Sequence, residues 1–481
     1  MKKKILLILL VFVVIIFALF FYIQSNIGNK FDGKLSFLRA AVPAEYRKVI
    51  KETIFVFKNQ KILKKKIQRL EDQLSYQEKL TTNILENNKK FIFNYIENFE
   101  EFEESQNNHS YNLKLFSNSN LNLMGPRAYL GMDKDFLYLI TGTGSLMYTS
   151  SSDIEKKNQI EFTKIETNFL AINEKDFTHY HTTTVKGILI KNNYIYVSQV
   201  KKQSKDCFVS VVLKGKLNLS EIQFKELFNT GECIKFYSNQ AGGNLADFKD
   251  NKILFTTGAF KTFEDMSDKR PANERNFPQI ADSYIGKIMS IDKETGIAKV
   301  LSMGHRNIQG MFYDKVKNII YSTEHGPTGG DELNVNYEAD TDVIENYGWP
   351  MASYGVQPDY WDESKKVYMK KLAPFYKSHI DHGYVEPLIW FTPALGITQI
   401  AKNPYNKLFK KDVMYFGAMG WDIEEGDLSV HKLVLNNDGT VFDKSIIPIG
   451  DRVRDLLFDI NKEKLYLFLE NSGSIAILTK K

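Results

Sequence analysis

Beyond residue 120, apolar and polar positions alternate in short runs separated by turn-forming residues, as half-buried strands require. Six runs resemble one another: "FLYLIT", "YIYVSQ", "ILFTTG", "IIYSTE", "VMYFGA" and "LYLFLE". Each centres on an aromatic residue, namely Tyr138, Tyr196, Phe255, Tyr321, Tyr415 and Tyr466, at successive spacings of 58, 59, 66, 94 and 51 residues. Most follow a turn containing Asn, Asp or Lys, such as "MDKD", "KNN" or "NKEK". A unit of several short strands recurring at that interval is the signature of a propeller blade. The predicted fold is therefore all-β, a six-bladed β-propeller over residues 111–481. A pair of β-sandwiches would also use short strands, but even repetition argues against it. The long fourth interval predicts a functional insertion.

Ahead of the strands the pattern differs. Residues 5 to 23, "ILLILLVFVVIIFALFFYI", are apolar throughout and follow Lys2, Lys3 and Lys4. That length suits a transmembrane signal anchor over residues 1–25, with the lysines cytoplasmic and the remainder on the periplasmic or extracytoplasmic side. The expected location is the inner membrane, single-pass. Leu63, Ile67, Leu70 and Leu74 recur at three- and four-residue steps among charges, which predicts a helical stalk within residues 26–110, suited to coiled-coil self-association.

A net charge of +5 is small for 481 residues, and 43% hydrophobic with 25% charged residues is ordinary for a globular chain, so nucleic acid is not an expected partner. Cys207 and Cys233, the only cysteines, each lie in a strand-like run. An extracytoplasmic disulfide and two buried thiols both fit this placement.

The chain has no GxSxG elbow, P-loop, HExxH or Rossmann glycine fingerprint. His179 and His181 of "HYH" share one side of an extended segment, where surface histidines are the ordinary reading. More informative is "YSTEHGPTGGDELNVN" at 321 to 336, a strand that runs into a loop of His325, glycines, Pro327, Asp331 and Glu332. Such backbone freedom turns carbonyls outward, and carbonyls beside carboxylates are the ligands of a hard cation such as calcium. One strand earlier, "GHRNIQGMFYD" offers Arg306 and Asn307, and "GDRVRDL" places Arg452 and Arg454 on one side if extended. Three planar guanidinium forks suit a ligand with several carboxylates.

"GHRNIQGM", "STEHGPTGGDELN" and "ENYGWPMASYG", in this order, resemble the soluble quinoprotein aldose (glucose/sorbosone) dehydrogenase family. Its members are six-bladed propellers that bind pyrroloquinoline quinone (PQQ) and calcium. The resemblance runs from about residue 185 to the end and is weaker at the first blade. It implies that Arg306, Asn307, Thr392, Arg452 and Arg454 contact the quinone. It also implies that Gly326 and Pro327 give carbonyls to calcium, and that Glu332 and Tyr347 match a second calcium site. Electrons would pass to a membrane quinone or a cytochrome.

The sequence departs from the family pattern at the catalytic base. Where the family has a histidine before a glycine pair, "NQAGGNLADF" has Gln240, whose amide cannot accept a proton near neutral pH. The family's cofactor lysine falls at Met419 or Gly420, and the arginine after the glycine pair is Asn244. Two readings follow. One is an aldose or alcohol oxidoreductase with an altered base, such as the neighbouring carboxylate Asp247. The other is a degenerate propeller that binds a sugar, glycan or protein without turnover.

Overall fold

The structure is a computed structural model; it describes residues 89–96, 102–103, 110–118, 127–156, 158–169, 185–204, 207–234, 240–249, 251–262, 272–339, 341–358, 361–406 and 411–480. The chain divides into two compact units, residues 1–76 and 77–481, and every described residue belongs to the second. The apolar segment 5–23, the stalk leucines and "HYH" lie outside the described residues. The expected single-pass placement in the inner membrane needs correction. Among the described residues no helix is long and apolar enough to cross a membrane. The longest of them, Glu363–Leu372, has 10 residues, about half of what a bilayer requires.

The fold is mostly β and propeller-like. Six antiparallel four-stranded units follow one another along the chain, beginning with the inner strands Ala128–Met132, Val185–Lys191, Gly242–Asp247, Ile308–Asp314, Ile397–Asn406 and Val453–Asp459. We number these units 1 to 6. Each inner strand contacts the inner strands before and after it, and the last contacts the first, so the cycle is closed. Six clusters of buried apolar side chains lie between successive units: Tyr196 with Phe255 between units 2 and 3, Leu254 with Ile320 between 3 and 4, Tyr466 with Leu137 between 6 and 1. The core is thus spread around the ring.

The six predicted runs are the second strands of the six units. Their aromatic centres are all buried, and the turns before them form at the end of the ring where the inner strands finish. Asp133, Asp314 and Asp459 each turn a carboxylate oxygen back onto backbone N–H groups two and three residues on, which is why acidic residues mark these turns. Unit 3 departs from the expected alignment by one residue. Counted from the pairs Thr141↔Ala128 and Thr257↔Gly242, Tyr138 corresponds to Leu254 and not to Phe255. Because side chains alternate faces, Leu254 packs toward unit 4 while Phe255 packs back on unit 2.

The ring is closed by a strand from the other end of the chain. Ser110–Ser117 pairs with the final strand Ser474–Lys480 and becomes the outer strand of unit 6. Lys90–Tyr95 then pairs with both Ser110–Ser117 and Gln159–Thr167, joining the outer edges of units 6 and 1. Residues 90–95 were expected in the helical linker. Their sequence, "KFIFNY", alternates, and Phe91 and Phe93 are buried while Lys90 is exposed, so the strand period wins there. Cys207 and Cys233 form a disulfide with Cα atoms 4.6 Å apart.

Candidate active site

The inner strands share one sense. Gly242 N–H donates to Asn307 Oδ1 (3.2 Å), and Asn244 Nδ2 donates to the Gln309 carbonyl (3.1 Å), two steps further along both strands. The starts of the six inner strands therefore form one mouth. Arg127 precedes the unit 1 strand, Lys186 opens unit 2, Gln240 precedes unit 3, Arg306 and Asn307 precede unit 4, and Arg452 and Arg454 flank the start of unit 6. Antiparallel pairing returns Glu324 to Ile308, Ala418 to Ile397 and Leu469 to Val453. The loop 325–330, the loop after Ala418 and Glu470 thus open at the same mouth.

In unit 4, Arg306 donates its amide to Glu324 Oε2 (3.0 Å) and a guanidinium N–H to the His325 carbonyl (2.9 Å), with its fork over the Trp349 ring. Asn307 is buried, its Oδ1 also accepting from Gln309 Nε2 (2.9 Å). The loop is folded tightly. Gly326 N–H donates to Asp331 Oδ1 (2.9 Å), and a Cβ on Gly326 would overlap the carbonyl oxygens of Gly329 and Gly330. Pro327 packs against Gly355, and Thr392 Oγ1 accepts from Gly330 N–H (3.2 Å).

Behind the loop lies a small cleft lined among others by Arg306, Glu324, Gly326, Gly330, Glu332 and Tyr347. Glu324 and Glu332 are both buried there, bridged by Asn334 Nδ2 at 3.0 and 3.3 Å, while Asn334 Oδ1 is buried without a hydrogen-bond donor. Burial and the adjacent Glu324 carboxylate raise Glu332 well above the usual carboxylate range. Tyr347 brings its hydroxyl to the Val335 carbonyl and Glu345, and its ring stacks on His305. Among the described residues no group of three His, Cys, Asp or Glu side chains is arranged to hold a metal.

In unit 6, Arg454 and Arg452 both reach Glu470, and Arg452 lies over the exposed Trp421 ring. Burial alone would raise Glu470, but Arg454, Arg127 and Arg452 hold it below the usual range. Sequence reasoning missed Arg127, Lys186 and Glu470. The signal for Lys186 was a cation inside an otherwise apolar strand, "VKGILI".

Gln240 is buried at the mouth, its backbone carbonyl accepting from Phe260 N–H (3.0 Å). Asp247 does not accompany it. It ends the unit 3 inner strand, five positions along from Gly242 and about 17 Å by strand rise, and is paired with Lys191, Lys293 and Lys315. Burial acts to raise it, but those lysines keep it low. Asp247 is therefore excluded as the altered base.

The glucose/sorbosone dehydrogenase family profile matches residues 184–477. This chain belongs to that family. Among its relatives are aldose sugar dehydrogenase YliI of Escherichia coli, 27% identical over 42% of this chain and 53% of that protein, and an uncharacterized protein of Synechocystis sp., 29% identical over 40% and 45%. The chain spans about half the length of these curated relatives. Of solved structures, the apo-form soluble aldose sugar dehydrogenase of Escherichia coli superposes with a TM-score of 0.57 at 19% identity, covering 77% of this chain and all of that one. A glucose dehydrogenase gives 0.56, also at 19% identity, over 73% and 95%. At that identity the likeness speaks for the fold.

Proposed function

We propose that this family member is a sugar dehydrogenase of the quinoprotein type, a six-bladed propeller that holds PQQ and calcium at its mouth. The observation that carries the reading is the convergence of Arg306, Asn307, the 325–330 loop, Thr392, Arg452 and Arg454 on one end of the ring. The residues fit both groups. Guanidiniums from two units stand at the same end of the ring, and a polycarboxylate would draw on both. Turned-in carbonyls around Gly326 and the buried Glu324–Glu332 pair, with an unpaired Asn334 Oδ1, are hard oxygen donors. Arg306 and Asn307 would hold the quinone from unit 4, and Arg452 and Arg454 from unit 6. Gly326 and Pro327 would give carbonyls to one calcium, and Glu332 with Tyr347 would serve a second. The bound quinone would supply hydride acceptance from an aldose or related alcohol.

Within this chain, Gln240 stands where the family draws its base. An amide orients a hydroxyl but does not take its proton. That observation favours a second reading, a propeller that binds sugar or cofactor and turns over slowly or not at all.

The test adds PQQ and calcium to the purified protein and follows cofactor absorbance and dye reduction across a panel of aldoses. Turnover supports the first reading, binding alone supports the second, and no binding removes the quinone from both. Gln240→His is expected to raise turnover by about tenfold or more if the base alone is missing. A variant that binds PQQ and stays inactive would show a wider loss.

A further inference from the structure

We propose that Trp421 is the platform of an outer sugar subsite at the mouth. Its indole stacks a saccharide ring linked to the one that reacts, so that the chain is fitted to oligosaccharides. For the reacting ring this rests on the sugar dehydrogenase reading above; the stacking surface does not.

The chain has four tryptophans. Trp349 and Trp361 are buried, and Trp390 lies flat on the Tyr354 ring with centroids 3.9 Å apart. Trp421 is 80% exposed. A single exposed apolar side chain is ordinary on a protein surface. What sets this one apart is a backbone held firmly at the mouth.

The N–H groups of Trp421 and Asp422 both donate to Asp427 Oδ2 (2.6 and 3.0 Å), and Asp427 is itself buried. A Cβ on Gly420 would overlap that carboxylate, so only glycine lets the chain pass. Met419 and Gly420 N–H donate to the Leu395 carbonyl (3.0 and 2.7 Å), which ties the loop to the turn before the unit 5 inner strand. Asp422 caps the short turn Ile423–Glu425 by accepting from Glu424 N–H (2.9 Å), and Gly426 closes it at φ +92. An indole on so fixed a loop has little freedom to lose when a ligand arrives.

The Arg452 guanidinium, from the start of unit 6, lies 4.4 Å from the indole centroid. It orients the ring from one face, and the exposure of the indole leaves the other to solvent. Arg454 and Asn307 are buried in the mouth, while Trp421 and its neighbours Asp422, Glu424 and Glu425 are exposed. The platform therefore stands at the rim, outside the place where a reacting sugar would meet the quinone. A pyranose carries C–H groups on its flat faces and hydroxyls around its edge. An indole face receives the first, and carboxylates accept from the second. One sugar ring fills one of these two positions; a second ring joined to it reaches the rim.

Isothermal titration calorimetry of the purified chain tests this, with glucose, maltotriose and cellotriose as probes, beside PQQ binding and dye-linked turnover. Wild type is expected to bind at least one trisaccharide more tightly than glucose. Trp421→Ala should cut the ratio of trisaccharide to glucose affinity about tenfold, and Trp421→Phe, which keeps a ring, about threefold or less. If Trp421 only braced Arg452, both sugars would weaken together, so a ratio within about twofold of wild type overturns the subsite. So does a wild type that binds neither trisaccharide better than glucose. If the ratio depends on Trp421 and PQQ does not bind, the subsite stands and the quinone reading fails. If PQQ supports glucose turnover and the ratio is the same in wild type and Trp421→Ala, the reverse holds. Should Trp421→Ala fail to fold, Trp421→Gln gives the same decisive outcomes.

Discussion

Gly243 shows how much one missing side chain does in this mouth. Its positive φ is open to glycine at low cost, and the space a Cβ would take is filled by Lys186. Gly243→Ala therefore combines backbone strain with a collision in a packed region. We expect a loss of about 2–4 kcal/mol, read from urea unfolding. A loss below 0.5 kcal/mol would show that the strand shifts freely, and the close approach would lose its meaning. Arg306 works through a different balance. Its guanidinium ties the mouth to the His325 carbonyl, so Arg306→Ala should loosen the loop and weaken PQQ affinity by about tenfold or more, measured by cofactor fluorescence. Unchanged affinity would remove Arg306 from the clamp.

At the level of elements, the second strands were the most legible part of the chain. Their apolar runs and the Asx turns before them are local properties, encoded within about ten residues. The direction in which each aromatic faces is not local. Tyr466 lies between units 6 and 1, and Tyr466→Ala should cost about 3–5 kcal/mol by opening a cavity there. His431 in unit 5 gives a pH signature. Burial lowers it to about 4, and its Nε2 meets the Gly426 carbonyl at 2.7 Å between the rings of Phe391 and Phe416. The unfolded histidine, with an ordinary value near 6.5, binds its proton first as pH falls. Stability from the neutral ring is thus intact above about pH 6.5 and declines toward pH 4, by up to about 3 kcal/mol. His431→Gln should flatten that slope in denaturant titrations between pH 7 and 4; an unaltered slope would assign it elsewhere.

For the whole molecule, closure is the central fact. The last unit is completed by Ser110–Ser117, far away in sequence. Deleting residues 110–117 should leave an open edge on Ser474–Lys480 and replace cooperative melting by aggregation, seen in calorimetry and light scattering. The Cys207–Cys233 bridge closes a loop within unit 2. Replacing both cysteines by serine should lower stability by about 2–4 kcal/mol without moving the mouth. Of the expectations at this scale, the propeller-like ring is seen. The inner-membrane placement is not supported by any described helix.

The sequence alone determined the strands, their turns, the recurring unit and the acidic glycine-rich loop, because periodicity and turn chemistry act between near neighbours. It also marked Arg306, Asn307, Arg452 and Arg454 through motifs that hold together within one strand and its loop. Tertiary structure decided the one-residue offset of unit 3, the strand at 90–95 and the exclusion of Asp247. Each depends on which residues face one another across the ring. That is fixed only when the inner strands close on themselves, since burial and electrostatic repulsion act through space and not along the chain.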